Sequence, residues 1–454
     1  MSGRGGGRRA GPVTGFAGEC ATGQDAAGRQ NDNESAAITR PDATGPTPEV
    51  RRRPMTAAFS SLRAYRLTSI DLVRGLVIVI MALDHVRDYF MSGSMQNPMT
   101  DPNVGVALYF TRWITHFCAP LFVLLAGTSA GLMAARKTPR QLGAFLLRRG
   151  LWLIVIEWFV ISTGFSFAPF GIAQAGGLVL VPLQVLWAIG ASMVVLAGAQ
   201  FLGARACLAI GTLIVFGHNL LDPVWPASQA FDVGQPLWVS LHAQMALSVG
   251  PFRAVLAYPL LPWAGVMLAG FGIAGVFRLE PKRRDRLLLK GGIALTVAFA
   301  VIRSIGVYGD PHPWHPQGQG AVRIILSFLN TEKYPPSLLF LLMTLGPAAI
   351  LCSFADHWHG AVKDALVMFG RVPFAFYVVH FYLIHGLSVL LGVAQGFEAR
   401  QFLTNALFYP KTDYGLGLAG VYAVWALVIA LLYPFCRWVA AVKARRNDWW
   451  LSYL

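Results

Sequence analysis

Charge is what this chain has least of. Only 13% of its 454 residues are Asp, Glu, Lys or Arg, about half the share a soluble domain carries. So thin a charged complement excludes an ordinary soluble globule. With 55% hydrophobic residues and a mean hydropathy of +0.53, the chain reads as a polytopic membrane protein. Cysteine is scarce as well. Cys20, Cys118, Cys207, Cys352 and Cys436 form no CxxC pair and no metal-ligand spacing, which leaves reduced packing residues rather than a disulfide framework. No Gly-rich phosphate loop of the Walker type occurs, so nucleotide hydrolysis is not indicated. Acidic residues are few, 22 against 37 basic, for a net charge of +15. The basic residues cluster in short turns between apolar runs. That is the positive-inside pattern of membrane topology, and no nucleic-acid partner is expected from it.

What is present divides into two parts. Residues 1–60 are rich in Gly, Arg, Ala and Pro without apolar periodicity and are expected to be a disordered basic tail. Residues 61–454 are expected to form the transmembrane domain. Apolar runs of spanning length lie near 69–90, 112–134, 148–168, 183–202, 205–221, 259–277, 287–308, 337–354, 365–391 and 416–438. Arg136, Lys137, Arg140, Arg148 and Arg149 follow the second run, Arg278 to Arg286 the sixth, and Lys443, Arg445 and Arg446 the last. All fall on the N-terminal side of an even number of spans. The expected fold class is therefore all-α, a polytopic membrane helix bundle of about ten transmembrane helices with both termini cytoplasmic. The short run Ala321–Leu329 is expected to lie in the interface.

The first span, SIDLVRGLVIVIMALDHVRDYF, organises the chain. Asp71 and Arg74 open it; Asp84, His85, Arg87 and Asp88 close it. At 100° per residue, Arg74 and His85 differ by a net turn of about 20°, and the stripe they share with Asp71 runs roughly 16–20 Å along the axis. Charges in a membrane helix are costly and mark a polar cavity or a partner. His85 is the first candidate base, with Asp88 one turn on to orient it; the plain alternative is a headgroup-level histidine. Arg112 and His116 share a face at i,i+4 and could form the opposite wall, or only an interfacial anchor. Glu157 inside the third span needs a partner, for which Arg303 or a histidine would serve. Arg148 and Arg149 suit phosphate recognition, although topology alone explains most such arginines. His380 and His385 are about 140° apart on one helix, which does not suit a shared metal. No metal is expected there or at His312 and His315.

At SIDLVRGLVIVIMALDH the chain resembles the bacterial DUF1624 proteins, which are related to the catalytic domain of heparan-α-glucosaminide N-acetyltransferase. THFCAPLFVLLAGTS, LPWAGVMLAG, KYPPSLLFLLMTLGP, FGRVPFAFYVVHFYLIH and the terminal WWLSYL extend the resemblance over nearly everything after residue 60. It implies a multi-span acyltransferase that takes acetyl from cytosolic acetyl-CoA and delivers it across the membrane. Arg74-Gly75 with His85 also matches the first-span spacing of the wider acyltransferase-3 group. In the heparan enzyme that position is an asparagine, and its proposed catalytic histidine lies in the first outer loop. Here the loop Met91 to Gly105 holds no histidine, and His116 is the next one. The expected base is therefore His85. Arg149 matches a basic position opening the heparan enzyme's third span.

The resulting expectation is an acetyl-CoA-dependent acyltransferase of the bacterial inner membrane, embedded in lipid, with an envelope glycan or glycolipid as acceptor and room for a homodimer. Its catalytic set is His85, Asp88, Arg74 and His116. Arg148, Arg149 and Arg371 would hold CoA phosphates, and Asp84, Arg112, Lys333, Tyr334 and His380 would face the acceptor. The alternative class is a transporter or solute-binding membrane protein that uses the same polar cavity without covalent chemistry. A third is a CoA-binding subunit without turnover. CoA release by the purified protein discriminates among them.

Overall fold

The computed structural model describes residues 55–93, 98–101, 103–172, 176–223, 240–314, 320–403, 409, 413–446 and 448, with residues 55–67 and Val249 described by their backbone alone. Residues 1–54 of the expected tail, Cys20, His315 and the terminal WWLSYL lie outside these residues, while residues 55–60, expected in the tail, are the backbone of the first turns of α1. The elements run α1 Met55–Phe90, α2 Val106–Ile114, α3 Cys118–Met133, α4 Pro139–Ile156, α5 Ser162–Ser166, β1 Val179–Leu183, α6 Val185–Ala199, α7 Ala204–Gly217, β2 Met245–Val249 and β3 Phe252–Leu256. They continue with α8 Leu260–Ile273, α9 Pro281–Ile305, α10 Ala321–Leu329, α11 Leu338–Ser353, α12 Ala361–Arg371, α13 Pro373–Ala394 and α14 Leu418–Arg445.

Among the described residues, seven helices are long and apolar enough to cross a membrane, and Leu338–Ser353 is a shorter apolar helix. The expected spans 69–90 and 148–168 lie on α1 and on α4 with its continuation. The chain is thus an all-α polytopic membrane bundle, as its hydropathy indicates.

Local chemistry sets several helix boundaries. Thr138 caps α4 with its hydroxyl accepting from the Gln141 backbone amide, and the Gln141 side-chain oxygen accepts from the Thr138 backbone amide. This capping box starts the helix at Pro139 rather than at the expected 148, so Arg148 and Arg149 fall in its interior. The expected single span 365–391 is two helices. Pro373 has no N–H to continue the ladder, and the chain breaks at Val372 between α12 and α13. Between α4 and α5 the helix widens into one π turn, Glu157–Ile161.

The three-stranded sheet was not expected. Its order is β1–β3–β2, with β1 parallel to β3 and β2 antiparallel to it. Val179 pairs with Phe252 and Leu183 with Leu256, while Met245 also pairs with Leu256.

The core is built around α1, which packs on α3, α12, α13 and α14. α1 and α12 cross where Gly75 meets the Leu366 carbonyl and Gly370 meets the Asp71 carbonyl. Only a missing Cβ lets two helix backbones approach so closely. α3 and α8 repeat the device through Gly127 and Gly270. α1 therefore runs down the middle of the bundle and carries its ionisable residues to both ends of it.

Candidate active site

At the end where α1 enters the domain, a basic group forms from four helices. The Arg74 guanidinium donates to Asp71 Oδ1 at 3.0 Å, to the Gly370 carbonyl at 3.2 Å and to Ser129 Oγ at 3.1 Å. Arg371 Nε lies 4.0 Å from Asp71 Oδ2, and Lys443 Nζ donates to the Arg371 carbonyl at 3.4 Å. Arg149 stacks over Trp152 at 5.0 Å and Phe374 at 5.8 Å, and it is a charged neighbour of Lys443 together with Arg74 and Asp71. Arg74, Arg371 and Lys443 are thus gathered around the carboxylate of Asp71, with Arg149 beside Lys443. Arg148, one residue away and rotated by about 100°, instead bonds the carbonyl of Ala144 on its own helix and is exposed. Lys443 escaped sequence reasoning, because its position beside Arg371 depends on how α14 packs.

At the opposite end, Asp84 joins two arginines. Its Oδ1 accepts from Arg87 at 3.2 Å, and its Oδ2 accepts from Arg112 on α2. Arg87 also donates to Asp88 at 2.6 Å. Asp88 is therefore committed to Arg87, rather than showing a bond to His85. A polar cavity of about 330 Å³ opens beside this group, lined by Arg112 and His116 on one side and by Asp310, Glu332, Lys333 and Tyr334 on the other. A smaller space, about 30 Å³, is lined by Asp84, Thr115, Gln184, Tyr258 and again Lys333. Lys333 lies between the two. It is 92% buried and its ammonium stands 5.0 Å over the Tyr334 ring. His116 is buried with no partner for Nδ1 among the described residues.

His85 sits a layer behind this cavity and lines neither space. Its ring lies 5.2 Å from that of His380 and 4.5 Å from that of Phe381, and its Nδ1 has no partner among the described residues. The His380 Nδ1–H donates to the Tyr377 carbonyl, which leaves Nε2 as the unpartnered acceptor. His385 faces away, with its ring nitrogens toward the carbonyls of Gly164 and Phe402. Arg74 and His85, expected to share one pocket, are divided between the two ends of α1. Helical phase aligned them, but Arg74 bonds to the Gly370 carbonyl and Ser129 at one end, while His85 packs on His380 and Phe381 at the other.

The wall carrying Lys333 and Tyr334 is held by two buried groups. Arg303 donates to the carbonyls of Phe328, His312 and Ser327 at 3.1–3.3 Å. Asp310 accepts from the Glu332 amide and from Ser337 Oγ, each at 2.9 Å. Arg303 is therefore not the partner of Glu157, as the sequence suggested. Glu157 Oε1 instead accepts from the Gln184 amide at 2.8 Å. In this wall, burial pushes Asp310 and Glu332 above the ordinary carboxylate range. Burial would also raise Tyr334, but the charges of Lys333 and Arg112 outweigh it and hold the phenol below its ordinary value. The neighbouring Tyr258 is pushed well above it, by burial first and by Tyr334 second.

Fold and site together define a polytopic membrane protein with a basic group at one end and a polar, histidine-bearing cavity at the other. Residues 66–308 match the family model described as heparan-alpha-glucosaminide N-acetyltransferase, catalytic, and the chain belongs to this family of membrane N-acetyltransferases. The match covers Arg74, His85, Arg112, His116 and Arg149 and ends before Lys333, Arg371 and Lys443. No curated protein matches the chain.

Proposed function

We propose that the protein transfers acetyl from cytosolic acetyl-CoA to a hydroxyl or amine of an envelope sugar on the far side of a bacterial inner membrane. The observation that carries this reading is the division of polar groups between the two ends of α1. Arg74, Arg149, Arg371 and Lys443 offer guanidinium forks and an ammonium to the phosphates of CoA. Arg148 is exposed on the other face of α4 and takes no part. At the opposite end His116 lines the cavity, and its Nδ1 has no partner among the described residues; these two observations support His116 as the base in preference to His85. It would accept the proton of the attacking hydroxyl or amine while the new C–O or C–N bond forms. Lys333 and Arg112 would stabilise the oxyanion that develops on the thioester carbonyl. The C–S bond then breaks, and CoA leaves as the thiol after taking up the proton. His85, with His380 beside it, stands one layer further in.

Purified protein incubated with labelled acetyl-CoA and an envelope extract should release CoA and label the extract. His116→Ala should lower turnover by about 10²–10⁴-fold with CoA affinity retained. Solute uptake into vesicles without CoA binding would instead identify a transporter.

A further inference from the structure

A second large cavity lies at the same end of the bundle as the histidines, and the proposed chemistry does not use it. Its volume is about 710 Å³, well within the range of ligand sites. One wall is the π turn Glu157–Ile161 with α5; the other is the face of the three-stranded sheet, with Trp187 from α6. Trp158, Phe159 and Phe252 on its walls are 45%, 67% and 52% exposed. In a membrane-spanning chain, side chains of this kind face lipid.

The lining is apolar in practice as well as in composition. Three of the four hydroxyls that line it are used within their own helical segment: Ser162 donates to the Glu157 carbonyl at 2.9 Å, Thr163 to that of Phe159 at 2.6 Å and Ser166 to that of Ser162 at 3.0 Å. Such a groove has little to offer a sugar and much to offer a hydrocarbon chain.

The groove abuts the polar site across one short segment. Leu183 and Trp187 line the groove, whereas Gln184 and Val185, between them, line the space that Asp84 and Lys333 border. Glu157 fixes this segment by accepting from the Gln184 amide. At the boundary, Trp187 keeps an Nε1–H that has no acceptor among the described residues. An amphiphile seated there would place its chain between sheet and helix and its polar head at Lys333, with an oxygen near the junction for Trp187 to bond.

We infer that the acceptor is borne on a lipid: its hydrocarbon chain occupies the groove between the π turn and the sheet, while its sugar reaches the cavity of His116 and Lys333. This rests on the acyltransferase reading above, and it names the class of acceptor.

The test uses the full chain in nanodiscs and a dodecyl glucoside carrying a tail diazirine. On irradiation the label should concentrate in peptides covering 158–187 and 245–256. Unlabelled dodecyl glucoside should compete and glucose should not. Ala254→Trp, which fills the groove, should reduce labelling about tenfold while CoA binding and melting temperature report an intact fold; Leu247→Trp is the second variant should the first misfold. In the extract assay, labelled acetyl should partition with the lipid fraction. Label scattered over all lipid-facing helices overturns the inference. So does acetyl transfer to water-soluble sugars that Ala254→Trp leaves unchanged, a result that keeps the acyltransferase reading. Groove labelling without any CoA release overturns both the acceptor role and that reading.

Discussion

Asp84 and Arg112 are joined across two helices, and the same carboxylate holds Arg87 with its other oxygen. One acid therefore neutralises part of two guanidiniums at a site from which lipid and protein exclude most water. Asp84→Asn leaves both arginines without that charge while keeping the shape. Removing one partner of a buried ion pair costs about 3–5 kcal/mol. A large fall in melting temperature is expected in detergent, and the double variant Asp84→Asn with Arg112→Gln should recover much of it. Equal melting of the single variant and the parent would show that the pair is not a stabilising contact.

The cavity should have a spectroscopic signature in alkali. Lys333 and Arg112 hold the Tyr334 phenol below its ordinary value against the opposing effect of burial, whereas burial pushes Tyr258, Tyr409 and Tyr414 above theirs. Phenolate absorbance should therefore rise first for one tyrosine as pH increases. That early phase should vanish in Tyr334→Phe and move to higher pH in Lys333→Met. An acid depressed in the folded state adds stability above its unfolded pKa, and the gain is lost as pH falls through the folded value. With a reference near 10, the window is alkaline, and stability at neutral pH should not depend on this group. A titration unchanged by Lys333→Met would refute the electrostatic cause.

Arg303 lines neither polar cavity, yet its bonds to the carbonyls of His312, Ser327, Phe328 and Asn330 tie those segments to α9. The last of these leads directly into Lys333 and Tyr334. Arg303→Met should loosen the wall and lower turnover by about 10²-fold, the order expected when reacting groups are displaced by about an ångström. CoA affinity should stay at the parent level, since the basic group lies at the other end of α1. A matching loss of CoA affinity would mean that the variant is globally disturbed.

These relationships differ in how far a reader of the sequence could have reached them. Hydropathy and loop charge placed the helices, because in lipid each span must satisfy its own backbone and so advertises its length. Arg112 and His116 were legible as a pair through their i,i+4 spacing, and Lys333-Tyr334 through its polar setting before an apolar run. The separation of Arg74 from His85 was not legible. Helical phase reports direction around an axis, but it does not reveal that Arg74 is drawn to Ser129 and the Gly370 carbonyl while His85 packs against His380 and Phe381. The partner of Glu157 was missed for a related reason: a backbone amide such as that of Gln184 carries no sequence signal. VLVPL and FRAVL read as loop or span ends, since strands this short are marked only by the neighbours they pair with.

The closeness of α1 and α12 supplies the last prediction. Gly to Ala inside a helix normally gains about 1 kcal/mol through propensity, and Gly291 on α9, where an added methyl would meet nothing within 4 Å, should behave that way. At Gly75 a Cβ would stand 1.7 Å from the Leu366 carbonyl oxygen, and at Gly370 a Cβ would stand 1.8 Å from that of Asp71. Both obstacles are backbone, so the helices themselves must part. Overpacking of this kind costs about 1–3 kcal/mol or more, and separation would also stretch the bond from Arg74 to the Gly370 carbonyl. Gly75→Ala and Gly370→Ala should therefore melt earlier and bind CoA more weakly, while Gly291→Ala does neither. The pair of variants should be less than additive, because once one methyl has pushed the helices apart the second finds room already made.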